Sequence, residues 1–349
     1  MGYTEQKKGL RFILMDISNT KILSIDSLKI GYAYGKRQKI LLPTLTASAF
    51  KGELIAVIGR NGIGKSTLLR TIIGLQPSYG GTIMIMGKKI DEYSRLEMAQ
   101  QIGYISTEVV KVSNMRVRDL VALGRFPHTN WTGKITGKDH EVITESINKA
   151  GMPGFENRFI SELSDGERQR AMIARVLAQD TDLMLMDEPT AFLDISSRFE
   201  IVNLMLELSK KGKTIIFSTH DLNIAVDQAD KIWLMLDNEL TEGAPEDLVL
   251  NGSFDHLFDT SVVKFNYEDG SFSFPAENRS KIYIEGDGKM RFWTEKAIIR
   301  AGYSVSDTMT PVFIQVPAQN NKRWVIFSGD SSVILNSLYD LVSRLEKGI

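Results

Sequence analysis

The apolar run Leu54-Ile55-Ala56-Val57-Ile58 passes directly into Gly59-Arg60-Asn61-Gly62-Ile63-Gly64-Lys65-Ser66-Thr67, and a helical pattern continues from Ser66 to Ile73. Strand, glycine-rich loop and helix in that order are the setting in which a loop can wrap a phosphate. The glycines let the backbone curl until successive N–H groups face one anion, and the helix N-terminus adds its dipole. Gly59, Asn61, Gly62, Gly64 and Thr67 are the candidate cradle residues. Lys65 is expected to reach the β- and γ-phosphates, and the Ser66 hydroxyl to ligate Mg²⁺. A merely flexible glycine turn requires neither the strand before it nor the helix after it, so nucleotide binding is the expectation.

The pattern around this unit extends it into an α/β domain. A helix Asp165–Ala178, a buried strand Leu183–Met186 and a helix Arg198–Lys210 come in turn, followed by a strand Thr214–Ser218, a helix from Leu222 and a strand Lys231–Leu236. Such alternation implies a parallel sheet with helices packed on it. Short β-rich segments begin at Ile22. Residues 94–160 carry more charge and helical periodicity, with surface helices expected near Ser94–Ile102, Val117–Leu123 and Asp139–Ala150. Past Pro245 the character changes. Strands are expected at Ser271–Phe274, Lys281–Ile284, Val312–Val316 and Arg323–Phe327, and helices at Trp293–Ala301 and Ser331–Lys347. The organisation read from this is a 1–21 extension without assigned function, a 22–245 domain with a helical insertion over 94–160, and a small α+β accessory domain over 246–349.

Composition removes several classes. A formal charge of -1 argues against a nucleic-acid-binding surface, and the absence of cysteine rules out disulfides, thiolate zinc and iron–sulfur clusters. The longest apolar approach to a span, Ile40 to Phe50, is broken by Pro43 and by hydroxyl residues, well short of the ~18–20 residues a bilayer needs. Phe12 to Met15, behind Lys7 and Lys8, is too short for a signal-peptide core. A soluble, cytoplasmic protein is expected, with any membrane role supplied by a partner.

Two further motifs carry chemistry. In Leu163-Ser164-Asp165-Gly166-Glu167, Ser164 and Glu167 form a capping box for the helix that follows, and a capped helix start also aims free N–H groups at a phosphate. In Leu183-Met184-Leu185-Met186-Asp187-Glu188-Pro189, an apolar strand delivers two carboxylates to its polar end. Asp187 there is a candidate to hold Mg²⁺ through water, and Glu188 to polarise an attacking water.

In this order the motifs resemble the ABC ATPase family over residues 22–250, the LSDGE stretch standing where that family has an LSGGQ-like signature. The resemblance implies a P-loop ATPase with a mostly parallel sheet, a β-rich N-terminal subdomain and a helical insertion. It also implies two copies sandwiching MgATP, with Ser164 and Gly166 of one copy facing the nucleotide of the other. Asp194, in Ala191-Phe192-Leu193-Asp194, matches the loop at that dimer interface. His220, in Ser218-Thr219-His220-Asp221, matches the histidine that contacts the γ-phosphate, and Tyr32 matches the aromatic stacked on adenine. Tyr34 is near enough to compete for the adenine, and either tyrosine could be core packing. The family's usual metal-sensing glutamine is missing: counting back from Val117 places Thr107 there, with Glu108 immediately after, and either of the two could stand in its place and offer oxygen to a metal shell.

Val117 to His128 is similar to the corresponding stretch of importers of ferric siderophores, haem and cobalamin. That implies an ATPase on the inner face of the membrane, docked on integral permease subunits and served indirectly by a substrate-binding protein, with no role for nucleic acid. Alternatives are another ABC transporter class, or a regulatory ABC ATPase whose C-terminal domain senses a ligand. The default expectation for that domain is a regulatory or dimer-stabilising role.

Overall fold

A computed structural model of the chain describes residues 20–34, 37–107, 114–129, 133–257, 264–265, 272–273, 279–317 and 323–347. The chain divides into two compact units, the first reaching Thr260 and the second holding Phe272–Ile349. Most of the 1–21 extension, and Glu108, lie outside the described residues.

The first unit opens with β1 (Lys21–Tyr34), β2 (Arg37–Phe50), β3 (Leu54–Gly59), α1 (Lys65–Ile72), β4 (Thr82–Ile85), β5 (Lys88–Lys89), α2 (Arg95–Gln101) and β6 (Ile102–Ile105). Then come α3 (Val117–Ala122), α4 (Gly137–Lys149), α5 (Asp165–Ala178), β7 (Leu183–Met186), α6 (Ile195–Lys210) and β8 (Thr214–Ser218). α7 (Leu222–Gln228), β9 (Lys231–Met235), β10 (Leu240–Gly243) and α8 (Pro245–Leu250) complete it. An antiparallel sheet has the order β2-β1-β4-β5. A larger sheet has the order β10-β9-β3-β8-β7-β6 and is parallel except for β10.

The unbroken apolar runs of β3 and β7 follow from burial on both sides, as in parallel sheets generally. Leu54, Ala56 and Ile58 join Met184 and Met186 in a core shared with residues of α3 to α6. Ile55 and Val57 join Leu183 and Leu185 in a second core with the β1–β2 hairpin and α1. Successive residues on a strand therefore serve different cores.

In the helical insertion, α3 and α4 pack on α5. A buried ion pair ties them down: Arg125 Nε lies 2.9 Å from Asp139 Oδ1, and Arg125 Nη1 donates to the Ala178 carbonyl at 2.8 Å. The Thr136 hydroxyl and N–H donate to Asp139 Oδ2 at 2.6 and 2.9 Å. These bonds from Thr136, then the Arg125 guanidinium, hold the Asp139 carboxyl at about 2 instead of 3.8. A depressed carboxyl stabilises the fold fully above its ordinary value and loses that contribution as pH falls towards 2. Asp139→Ala is expected to cost about 3 kcal/mol at neutral pH, because Arg125 remains buried without its carboxylate. Urea denaturation checks this, and the gap between parent and variant is expected to close on acidification below about pH 4.

The domain boundary expected at 245 lies further on. Leu248, Phe254 and Leu257 are buried in the first unit's core, so α8 and the 3-10 turn Ser253–Leu257 belong to it. A short ladder pairs β11 (Lys264–Phe265) with β12 (Phe272–Ser273). The second unit has β13 (Lys281–Glu285), α9 (Gly288–Arg300), β14 (Ser304–Ser306), β15 (Val312–Gln315), β16 (Trp324–Ser328), β17 (Ser331–Leu335) and α10 (Leu338–Glu346), with sheet order β14-β13-β15-β16-β17. Its core gathers Ile282, Ile284, Ile298, Ile314, Ile326 and Leu341. The helix expected over Ser331–Lys347 is thus half strand. Ser328 pairs with Ser331 across Gly329, whose φ of 57° suits a two-residue hairpin turn. Val333 and Ile334 favour the strand, and Ser337 then caps the shorter helix. Among the described residues no helix is long and apolar enough to cross a membrane.

Candidate active site

The phosphate loop leaves the central strand β3 and enters α1 through Gly64, whose φ of 117° is left-handed. No side chain caps this helix start, so its first N–H groups stay available to a ligand. A Cβ on Gly64 would lie 3.2 Å from Leu41 and 3.3 Å from Ile30, so the β1–β2 hairpin closes tightly over the loop. Asn61 and Gly62 are exposed at its crown, while Ser66 and Thr67 are half-buried in the first turn of α1. Lys65 is buried and folds back: its Nζ donates to the Gly59 carbonyl at 2.9 Å and the Arg60 carbonyl at 3.4 Å. Burial pushes the Lys65 ammonium below its ordinary value, opposed by the neighbouring Glu188 and Asp187 carboxylates.

The acidic pair stands at the end of β7. Asp187 is 1% exposed, and its Oδ1 accepts from the Ser66 hydroxyl at 3.0 Å and the Ser218 hydroxyl at 2.7 Å. Its other oxygen, Oδ2, is buried without a hydrogen-bond partner among the described residues. An orphaned carboxylate oxygen beside a serine hydroxyl fits a hard divalent cation. Glu188 follows with a left-handed φ of 50°, and its Oε2 lies 2.6 Å from His220 Nε2. The strand ends of β3, β7 and β8 therefore bring the phosphate loop, both carboxylates and His220 to one edge of the sheet, as parallel α/β sheets place their ligands.

Ser164 caps α5 as the capping box requires: its hydroxyl accepts from Glu167 N at 3.2 Å, and Glu167 Oε2 accepts from Ser164 N at 2.8 Å. Gly166 is needed for a close approach, since a Cβ there would lie 2.6 Å from Ser197 Oγ. Ser197 in turn donates to Asp194, which caps α6. Ser164, Gly166 and Asp194 thus form a second group, joined through Ser197. Among the described residues, the hydrogen bonds of Ser164 and Asp194 run to Glu167 and Ser197 and not to their own chain's phosphate loop.

Tyr32 is half-buried on the hairpin that covers Gly64, with Lys39 Nζ 5.7 Å from its ring centre. The side chain of Tyr34 lies outside the described residues. Thr107 is exposed just past β6, the neighbour of β7 in the sheet, and lines a cleft of ≈ 250 Å³ with Glu188, Phe192 and Arg168. Two residues at the site were not anticipated from sequence. Ser218 touches both acidic residues, and its one signal was a hydroxyl closing the apolar run Ile215-Ile216-Phe217 at the end of a fully buried strand. Arg60 ties the loop to the carbonyls of His256 and Leu257, at 3.2 and 3.1 Å. That contact bridges distant parts of the chain and leaves no local pattern.

Fold and site together define a P-loop ATPase with a helical insertion. Residues 42–191 match the family described as ABC transporter, and residues 279–346 match the iron ABC transporter C-terminal domain. The petrobactin import ATP-binding protein FpuC of Bacillus anthracis is 34% identical over 249 residues, 71% of this chain and 91% of its own. The ferric enterobactin transport ATP-binding protein FepC of Escherichia coli is 35% identical over 226 residues, 64% of this chain and 82% of its own. Among solved structures, a dimeric post-hydrolysis state of the ATP-binding cassette MJ0796 bound to ADP and Pi is similar at a TM-score of 0.56 and 26% identity, over 64% of this chain and 99% of its own. The chain belongs to the ATP-binding subunits of ABC transporters, and it binds and hydrolyses ATP.

Proposed function

We propose that the chain powers import of an iron chelate through a separate membrane permease, working as a homodimer on the inner face of the cell membrane. What carries this reading is the pairing, in one chain, of an ABC ATPase site with a segment matching the iron-transporter C-terminal domain. That pairing favours an iron chelate over haem or cobalamin, and relatives named for petrobactin and ferric enterobactin point the same way.

In the proposed cycle the loop residues Gly59, Asn61, Gly62, Gly64 and Thr67 cradle the phosphates of ATP, Lys65 turns from its loop carbonyls to the β- and γ-phosphates, and Tyr32 stacks on adenine. Ser66 and Asp187 are the residues to hold Mg²⁺, with Thr107 beside them; the ion neutralises phosphate charge when bound. Glu188 accepts a proton from the attacking water while His220 steadies the γ-phosphate. Ser164 and Gly166 of each copy meet the nucleotide of the other across the Asp194 loops. Support for that interface comes from its apolar edge: Phe192, Ile195 and Phe199 are 89%, 74% and 61% exposed around Asp194, more than a monomer has reason to show in one place.

The permease is proposed to dock in a groove of ≈ 750 Å³ between the end of α1, α2 and the end of α3. Leu75, Tyr93, Met98 and Leu123 line it, and Leu75 and Leu123 are 71% and 52% exposed. Leu123→Asp is expected to leave basal ATPase activity within about twofold of the parent, since such surface changes are usually small in energy, and to abolish its stimulation by the reconstituted permease. Uptake of a radiolabelled ferric chelate into proteoliposomes tests the whole reading. Full stimulation of the variant would remove the groove from it, and failure of the complex to move any ferric chelate would remove the cargo.

A further inference from the structure

We infer that Ser218 is a positioning residue for hydrolysis, locking the Glu188 backbone and the Asp187 carboxylate into one fixed relation. Ser218 ends β8 at the centre of the sheet, beside Val57 of the phosphate-loop strand on one side and just past the Met186–Phe217 pair on the other. It is completely buried. Its Oγ donates its proton to Asp187 Oδ1 at 2.7 Å and accepts the Glu188 N–H at 2.9 Å. Both capacities of the hydroxyl are spent on the two acidic residues, and none on β8 itself.

The bond to Glu188 falls where it matters. A non-glycine residue at a φ of 50° persists only if its surroundings hold it there, and Ser218 holds the amide of that same residue. The turn so fixed carries the Glu188 carboxylate to His220, 2.6 Å away. With alanine at 218 the amide is free to relax towards the right-handed region and carry the carboxylate with it. Asp187 would keep Ser66 as a donor but lose the bond that sets its rotation. The phosphate loop makes no bond through Ser218 Oγ, so the damage falls on the chemical step and not on nucleotide capture.

This inference rests on the reading of Glu188 as the residue that activates water and of Asp187 as the metal carboxylate. The test uses the full chain as Ser218→Ala, Ser218→Thr, Glu188→Gln and the Ser218→Ala/Glu188→Gln double variant. Ser218→Ala is expected to lower kcat about 10–100-fold, the scale of a slightly misplaced catalytic group, with KM for ATP changed less than about threefold. Ser218→Thr, which keeps the hydroxyl, recovers most of the rate. In the Glu188→Gln background at saturating Mg²⁺, Ser218→Ala costs less than about twofold, because its effect through Glu188 is already removed and its effect through Asp187 is met by excess metal. Calorimetric ATP binding in EDTA stays at the parent value, while the Mg²⁺ needed for half-maximal tightening of that binding rises several-fold. Ser218→Ala turning over at the parent rate while Glu188→Gln is inactive would overturn the inference and leave the base assignment standing. Equal fractional losses from Ser218→Ala in both backgrounds would also overturn it. Glu188→Gln at the parent rate would instead strike the assignment of Glu188.

Discussion

Glu188→Gln is expected to lower kcat for ATP by roughly 10²–10⁴-fold, the usual weight of a positioned general base, and to leave ATP affinity close to the parent's. The amide matches the carboxylate in size and leaves the Glu188 main chain, with its bond to Ser218, in place. What it removes is the anionic oxygen now 2.6 Å from His220 Nε2, and with it the group able to take a proton from water. Binding groups on the loop are untouched, so ATP still occupies the site and is not consumed. The proposed dimer is therefore expected to accumulate with ATP in this variant, and light scattering reads it directly. Turnover within a few-fold of the parent would sink the role given to Glu188, whatever the dimer does.

Much of this site was legible in the sequence because its parts are short and local. The phosphate loop announces itself through glycines that only a curled backbone requires, between a strand and a helix that both formed where periodicity put them. The capping box of Ser164 and Glu167 is likewise a contact between near neighbours, and it formed as read. The parallel sheet was legible in the alternation of strands with helices, which is a pattern along the chain. Contacts between distant segments were not legible. Ser218 reaches Asp187 and Glu188 only because β8 was inserted next to β7, and Arg60 meets His256 across nearly 200 positions of chain. The second unit was read less well for a related reason. Ser331–Leu335 is a strand because β16 pairs with it, whereas its neighbouring helix α10 supplied the pattern that misled. Composition after Pro245 did change, yet Leu248 and Phe254 still belong to the first core, and burial of that kind leaves no mark at a domain edge.

Lys65→Met is expected to weaken ATP binding by about 10²–10³-fold, the range for removing one partner of a desolvated charge pair, with little effect on folding. Lys65 is 6% exposed and its ammonium is bonded to the Gly59 and Arg60 carbonyls, so the side chain waits at the loop with much of its water already replaced. Much of the desolvation that a phosphate contact demands has thus been met before the nucleotide arrives, and the gain on binding is correspondingly large. Methionine occupies a similar volume and carries no buried charge, so the unfolding free energy from urea denaturation is expected to change by less than about 1 kcal/mol. The pH dependence supplies a second check on the same side chain. Burial lowers the Lys65 ammonium from 10.5, so its charge is lost at a lower pH than an exposed lysine's, and ATP affinity is expected to fall on the alkaline side before 10.5 is reached. Calorimetric titrations from neutral to alkaline pH are expected to show that decline in the parent and a flat, weak profile in Lys65→Met. An identical decline in both proteins would mean that some other group on the loop carries the titration, and that Lys65 contributes shape to the site more than charge.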